Sequence, residues 1–174
     1  MNAAIDNTTL IPIVTPFFDA ESNTFSYVAK DPSSPACAVI DSVLDLDYAS
    51  GGVGHEGADA IIKFIRDNEL KIEWIVETHV HADHISAGHY IRDEIGGKLA
   101  IGEQIKTVQK VFGGIYNIDD ELAHDGSQFD HLFTDGETYK IGNLEAHVMH
   151  TPGGPHPPLP ASLPQVCVRR ADAA

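Results

Sequence analysis

Apolar and polar residues alternate in short runs over the first quarter of the chain. Residues 10–18 and 24–31 are rich in β-branched and aromatic side chains and flank the polar stretch DAESN. This pattern predicts a β-hairpin. Residues 36–43, ACAVIDSV, follow the chain-breaking stretch DPSSP and predict a third, more buried strand.

In the next part of the chain the apolar residues are spaced at the interval of an α-helix. Apolar residues between positions 58 and 68 fall on one face of a helix. The remaining predicted elements are a strand at 71–81, a helix at 84–97 ended by two glycines, a strand at 98–102, a helix at 103–112, a loop at 113–130 and a hairpin at 137–150. Residues 49–57 are predicted to be a loop. This order predicts an α/β (α+β) fold with helices packed on an extensive sheet.

Composition and charge narrow the classes of function. The 174 residues fit one domain, and the net charge of −15 comes without a dense cluster of lysine and arginine. We therefore expect no nucleic-acid partner and no docking on an anionic membrane surface. No apolar run approaches the roughly 18 residues that span a bilayer. The two cysteines form no disulfide framework, and the start of the chain lacks the pattern of a secretion signal, so a cytoplasmic location is expected.

The stretch ETHVHADHISAGHY, at 77–90, carries the candidate chemistry. In an extended segment, side chains two residues apart point the same way, so His79 and His81 project to one side. The turn into the next helix then brings Asp83 and His84 beside them. Imidazole suits Zn, Fe, Ni and Cu, and a carboxylate widens the choice to Fe and Mn. The spacing predicts a site for one or two metals rather than a capped helix with exposed histidines.

A further ligand must come from elsewhere in the chain. His150 ends the apolar stretch LEAHVMH and precedes the sharp turn TPG, which makes it the best-placed candidate. By alternation His147 lies on the opposite face of that strand and is expected to be structural or exposed. Four other histidines are expected to have no part in the site: His55, His89, His124 and His131.

These motifs resemble the metallo-β-lactamase superfamily. The resemblance rests on THVHADH and the downstream HTPG, and it extends over most of residues 10–154. The form HADH and the segment AIGEQIKTVQKVFGGIYN look most like the persulfide dioxygenase branch, with glyoxalase II as a near neighbour. The resemblance implies an αββα sandwich with the metals between the sheet edges. Residues 1–152 are expected to form the N-terminal half to two-thirds of that domain.

The two branches imply different metals and reactions. In the dioxygenase branch one Fe(II) per chain would be held by His79, His150 and a distant aspartate, and glutathione persulfide would be oxidised to sulfite. In the hydrolase branch His79, His81 and His150 would bind one Zn²⁺, Asp83 and His84 would help bind a second, and a glutathione thioester would be cleaved. The expected partner is thus a small-molecule thiol, with a homodimer as the assembly considered. A third hypothesis is a non-catalytic metal-binding fragment, or a subunit completed by another chain.

The sequence departs from the superfamily pattern after HTPG. Residues 153–174 hold five of the ten prolines, and Asp172 is the one aspartate after Gly153. We expect this segment to be a disordered, aberrant tail and the chain to be an inactive, truncated form. If residues 154–156 are encoded as GGC-CCA-CAC, loss of one cytosine gives Gly-His-Thr, the continuation that the family shows. The frameshift hypothesis is rejected if the resequenced locus does not continue, in the shifted frame, as strand, Gly-Asp and helix.

Overall fold

The structure, a computed structural model, describes residues 11–81, 84–117 and 123–150, and the main chain alone at 151, 165–166 and 169–170. The strands are β1 (Ile13–Asp19), β2 (Thr24–Lys30), β3 (Ala36–Ile40), β4 (Val43–Asp47), β5 (Gly52–Gly54), β6 (Lys71–Val76), β7 (Ile85–Ser86), β8 (Lys98–Gly102), β9 (His131–Phe133), β10 (Thr138–Ile141), β11 (Leu144–His147), β12 (His150–Thr151), β13 (Gln165–Val166) and β14 (Arg169–Arg170). The helices are α1 (Glu56–Asp67), α2 (Gly88–Ile95) and α3 (Ile105–Tyr116).

A six-stranded sheet in the order β1-β2-β3-β6-β8-β9 forms the centre of the fold. Its first three strands are antiparallel neighbours, and β3, β6, β8 and β9 run parallel. Helical crossovers join the parallel strands, as such strands require. Smaller sheets have the orders β5-β4-β7, β10-β11-β14 and β12-β13. The mixed α/β class predicted from the sequence is confirmed.

The two faces of the central sheet pack against different elements. Strand β3 is buried on both sides because Cys37 and Val39 face one core while Ala36 and Ala38 face the other. The first core packs the sheet against α1 and α2, through residues such as Ile61. The second core packs it against the β10–β11 hairpin: its members there are Tyr139, Ile141, Leu144 and Ala146.

A buried carboxylate ties that hairpin to the central sheet. Asp31 is 0% exposed; its Oδ2 accepts hydrogen bonds from the Asn143 amide at 2.7 Å and from the Ser34 hydroxyl at 2.6 Å. Its Oδ1 accepts bonds from the Ser33 amide and hydroxyl, both at 2.8 Å. Burial would raise the pKa of Asp31, but these hydrogen bonds outweigh it and hold that pKa below its ordinary value. The turn at Gly142 therefore docks onto the loop that precedes β3.

Several element boundaries differ from those predicted. The segment predicted as one strand at 36–43 is two strands in different sheets, because the chain turns at Asp41 and Ser42. The strand predicted to reach residue 81 ends at Val76, and the following helix begins at Gly88 rather than near residue 84. Strands β5 and β9 are only three residues each. Strand β5 lies in the loop predicted at 49–57, and β9 lies between the predicted loop at 113–130 and the predicted hairpin at 137–150.

Part of the segment predicted to be a tail is described. Within it, β13 pairs with β12 and β14 pairs with β11, which places two short strands where none was expected. The rest of the segment, on which the prediction of disorder and the domain boundary at residue 152 depend, lies outside the described residues. Across the described ranges, no helix combines the length and the apolar character that crossing a bilayer requires.

Candidate metal centre

Asp41 lies at the end of β3, where the backbone leaves the central sheet. Its φ of 49° is in the left-handed region, which aspartate adopts more readily than most residues because its short side chain can bond locally. The amide of Asp41 donates to the carbonyl of Val76 at 3.0 Å. The ends of β3 and β6 are thereby held together, and the Asp41 side chain is set beside the loop that follows β6.

The Asp41 carboxylate organises that loop. Its Oδ1 accepts a hydrogen bond from the Thr78 amide at 2.7 Å, and its Oδ2 accepts one from the Thr78 hydroxyl at 2.7 Å. His81 Nε2 lies 3.0 Å from Oδ1. Burial would raise the pKa of Asp41, but its bonds with His81 and Thr78 outweigh burial and lower it. The carboxylate is therefore ionised and acts as the acceptor in all of these bonds.

The hydrogen bonds of the Thr78 hydroxyl determine which nitrogen of His79 carries the proton. The Thr78 hydroxyl has one proton, which it donates to Asp41, so towards His79 Nδ1 at 2.9 Å it can only accept. His79 Nδ1 must then carry the proton, and the lone pair of the neutral ring lies on Nε2. A metal bound by His79 would take Nε2.

The His81 ring is hydrogen-bonded through Nε2, whereas the His79 ring is hydrogen-bonded through Nδ1. His81 Nε2 lies 3.0 Å from Asp41 Oδ1 and 3.2 Å from Glu77 Oε2, so Nε2 carries a proton and Nδ1 is the nitrogen for a metal. Burial would lower the pKa of His81, but hydrogen bonds to and the charges of the two carboxylates raise it to about 9. A carboxylate that holds one imidazole nitrogen while the other faces a metal is a common arrangement in metal sites.

The ligand atoms of Asp41, His79 and His81 lie within 4.8 Å of one another, and among the described residues they are the group that could hold a metal. The rings of His79 and His81 are 4.2 Å apart between centroids. Because the oxygens of Asp41 already accept bonds from Thr78 and His81, we assign Asp41 the orientation of His81 rather than direct ligation. In the neutral form that binds a metal, the two imidazoles would offer His79 Nε2 and His81 Nδ1, a pair of donors that fits a transition metal.

The other three predicted ligands differ in their positions relative to this group. The His84 ring lies 4.0 Å from the His81 ring between centroids, so this neighbour is brought beside the pair as expected. Asp83 lies outside the described residues. His150 begins β12, its side chain is exposed, and its amide donates to Asp135 Oδ1 at 2.8 Å. Within the described ranges His150 is not a member of the group around Asp41, and its ligation stays a prediction.

Sequence reasoning missed Asp41 and Glu77. Asp41 interrupts the buried run ACAVI and is followed by the buried Ser42, a polar pair where alternation demands apolar residues. That interruption was the available signal. Glu77 directly precedes Thr78 but carries no pattern that separates it from an exposed acid.

Comparison with known proteins places this site in a family. The model of the metallo-beta-lactamase superfamily matches residues 21–159. The match covers β2 to β12 and includes Asp41, the histidine motif and His150. The chain belongs to the metallo-beta-lactamase superfamily, whose members bind metal.

Three similar proteins show how far the likeness extends. A probable metallo-hydrolase of Burkholderia pseudomallei is 47% identical over 137 residues, which are 79% of this chain and 47% of that protein. A glyoxylase B2 of Dictyostelium discoideum is 45% identical over 138 residues, 79% of this chain and 47% of that protein. The crystal structure of ETHE1 from Myxococcus xanthus superimposes with a TM-score of 0.58 at 25% identity, over 81% of this chain and 49% of that one.

More distant relatives divide between two activities. A persulfide dioxygenase of Homo sapiens, ETHE1, and a hydroxyacylglutathione hydrolase of a Chelativorans strain are each 24% identical over 136 residues, covering 78% of this chain and 42% of either protein. The chain thus spans about half the length, or less, of the curated relatives that it matches.

Proposed function

We propose that the whole protein is an Fe(II)-dependent persulfide dioxygenase acting on glutathione persulfide. One persulfide, one dioxygen and one water would give glutathione, sulfite and two protons, so that the outer sulfur is oxidised and dioxygen is reduced. The observation that carries the proposal is His79, whose Nδ1 contacts Thr78 so that Nε2 would take a metal, with ligand atoms of His81 and Asp41 within 4.8 Å. The likeness to the Myxococcus xanthus ETHE1 structure and to human ETHE1, a persulfide dioxygenase, supports the choice of reaction.

The residues of the site would divide the work. His79, His150 and a carboxylate would hold the iron, and the metal would supply open positions for dioxygen and the substrate sulfur. Thr78 sets the tautomer of His79 through the 2.9 Å contact with Nδ1. Asp135 fixes the main chain of His150 through its 2.8 Å bond. Asp41 keeps the loop from Thr78 to His81 against the end of β3, since it bonds to the residue at each end of that loop.

A zinc-dependent hydrolase of glutathione thioesters is the second candidate. The observation that favours it is the His84 ring, 4.0 Å from His81, which would give a second metal a nearby donor. The names glyoxylase B2 and hydroxyacylglutathione hydrolase among its relatives also support it. Both candidates share a glutathione-derived substrate and differ in metal and number of metals.

Metal analysis separates the two candidates. The chain is loaded anaerobically with Fe(II) or with Zn²⁺, desalted and analysed for metal per chain. The dioxygenase predicts one iron per chain, and the hydrolase predicts up to two zincs. Stable binding of two zincs with no retention of iron would reject the dioxygenase.

Turnover is tested on a chimaera. Residues 1–153 of this chain are joined to the C-terminal part of the Burkholderia relative, so that a complete domain carries this site. With Fe(II), we expect oxygen uptake with glutathione persulfide and formation of one sulfite per dioxygen. Hydrolysis of a glutathione thioester without oxygen uptake would favour the second candidate instead. A His79→Ala chimaera serves as the control for activity from free metal.

A further inference from the structure

Glu77 is a buried acidic residue beside the metal centre that is not one of the proposed metal ligands. It follows β6 directly and is 3% exposed. Its amide donates to the carbonyl of Ala100 at 2.9 Å, which fixes its main chain at the end of the central sheet. A buried carboxylate is costly unless hydrogen-bond donors surround it, so its contacts indicate what it is for.

One oxygen of Glu77 is fixed by the start of α2. Ser86 Oγ donates to Oε1 at 2.5 Å and accepts a hydrogen bond from the Gly88 amide at 3.0 Å. A Cβ at Gly88 would lie 2.9 Å from Oε1 and 2.7 Å from Leu99 Cδ1. Glycine at this position is therefore what leaves space for the Glu77 carboxylate.

The other oxygen faces the metal site. Oε2 lies 3.2 Å from His81 Nε2, the same nitrogen that lies 3.0 Å from Asp41 Oδ1. The two carboxylates come from different strands, since Asp41 follows β3 and Glu77 follows β6. The Nε2–H bonds to Asp41 Oδ1, while Glu77 Oε2 lies beside it as an ion-pair contact without hydrogen-bond geometry. The charge of Glu77 thus favours the ring orientation that keeps Nε2 between the two carboxylates. Among the described residues Glu77 is not in the group of ligand atoms around His79, so direct ligation is not its role.

We propose that Glu77 is a positioning residue of the metal centre, which locks the His81 ring so that Nδ1 faces the metal. This inference rests on the proposed function in the form of a metal centre to which His81 contributes Nδ1; iron held by His79, His150 and a carboxylate alone would predict no effect of Glu77 on affinity. Ser86 and Gly88 extend the same role outward, because they hold Glu77 at the angle from which it reaches His81. A purely structural acid would need Ser86 but would not need to reach His81.

Glu77→Gln is the sharpest test, because the side chain keeps its size and loses its charge. If the amide oxygen keeps the bond from Ser86, the NH₂ group faces the N–H of His81, and the ring must turn or change tautomer. The matched control is Glu21→Gln, the same chemical change at an exposed position on the β1–β2 turn. Both variants and the parent are first checked for folding by circular dichroism and thermal unfolding.

The first readout is independent of metal. In the metal-free chain, long-range ¹H–¹⁵N spectra report the protonation and hydrogen bonding of each imidazole nitrogen. We expect the His81 Nε2 and Nδ1 shifts to change in Glu77→Gln and to stay unchanged in Glu21→Gln. Unchanged His81 shifts in a folded Glu77→Gln chain would overturn the proposal.

The second readout uses Co²⁺ as the probe of the site. We expect Glu77→Gln to bind Co²⁺ 10–100-fold more weakly than the parent, as for other residues that orient a metal-binding histidine, and with an altered visible spectrum. Equal affinity and an identical spectrum would overturn the role in the metal site. If the parent binds no Co²⁺, the proposed function fails, and the imidazole shifts still decide whether Glu77 positions His81.

Discussion

Asp41 Oδ1 lies 3.0 Å from His81 Nε2, although the two residues are 40 positions apart in the chain. The contact joins the end of β3 to the histidine motif that follows β6. It also explains the left-handed φ of 49° at Asp41, a strained backbone position of the kind that persists where the surroundings require it.

The first prediction concerns this contact. Asp41→Asn should weaken Co²⁺ or Fe(II) binding by about 10–100-fold while the chain stays folded. Asparagine tolerates a positive φ as aspartate does, so the substitution removes the charge without adding backbone strain. Isothermal titration measures the affinity, and Asp93→Asn, at an exposed position on α2, is the control. Equal affinities in all three chains would show that Asp41 does not orient His81.

The second prediction separates stability from ligation. His81→Ala should lower the free energy of unfolding of the metal-free chain by about 3–5 kcal/mol, because it removes the partner shared by the buried Glu77 carboxylate and the half-buried Asp41 carboxylate. Urea unfolding measures it. The exposed His89→Ala should change the value by less than about 0.5 kcal/mol. If the two variants unfold alike, the His81 network is not a stabilising one.

The same His81→Ala chain tests the number of metals. With one iron held by His79 and His150, loss of His81 should weaken binding without abolishing it. With two zincs, His81 is a ligand and its loss should abolish the first site. Metal per chain after desalting distinguishes the two outcomes.

The third prediction concerns the turn of the β10–β11 hairpin. Gly142 has a φ of +61°, and a Cβ there would collide with Ser34 Oγ and lie 2.5 Å from Asp31 Oδ2. Gly136 has a φ of +77° with nothing within 4 Å of such a Cβ. Both alanine variants carry the backbone cost of roughly 1 kcal/mol, and Gly142→Ala should lose more, since it also displaces Asp31. Equal losses of unfolding free energy in the two variants would mean that the hydrogen bonds of Asp31 to the hairpin turn do not stabilise the fold.

The fourth prediction is a pH dependence at Asp31. Because the pKa of this carboxyl is lower in the folded chain than its ordinary value of 3.8, the unfolded chain binds more protons in acid. The stabilisation from Asp31 is thus fully present above that ordinary value and is lost as pH falls through the folded pKa. The stability gap between the parent and Asp31→Asn should stay constant from about pH 7 to about pH 5 and shrink as pH falls below about 4. A gap that is constant with pH would contradict this account.

The sequence predicted the long, strongly patterned elements and the histidine pair. The helical face containing Ile61 identifies α1, because burial of one face imposes the period. The β1–β2 hairpin is identified by its content of β-branched and aromatic residues around a polar turn. The three-residue strands β5 and β9 were not predicted, because a strand this short has too few residues to show a period. His131–Phe133 becomes a strand only because β8 pairs with it in parallel.

The partners of the histidines could not be read in the same way. Asp41 reaches His81 through the turn between two strands of different sheets, and Glu77 reaches it through a contact that requires the absence of a side chain at Gly88. Such contacts depend on the packed fold and not on local spacing. Ligation by all five predicted residues, His79, His81, Asp83, His84 and His150, and the disorder of the tail stay predictions.

Iron binding by the 174-residue chain and its His79→Ala variant tests the central claim most directly. Both are loaded anaerobically with Fe(II), desalted and analysed for iron, with His89→Ala as the matched histidine control. The account predicts one iron per chain for the parent and for His89→Ala, and none for His79→Ala. Full retention of iron by His79→Ala would contradict it, since the metal would then be bound somewhere other than the site that Thr78 and Asp41 organise.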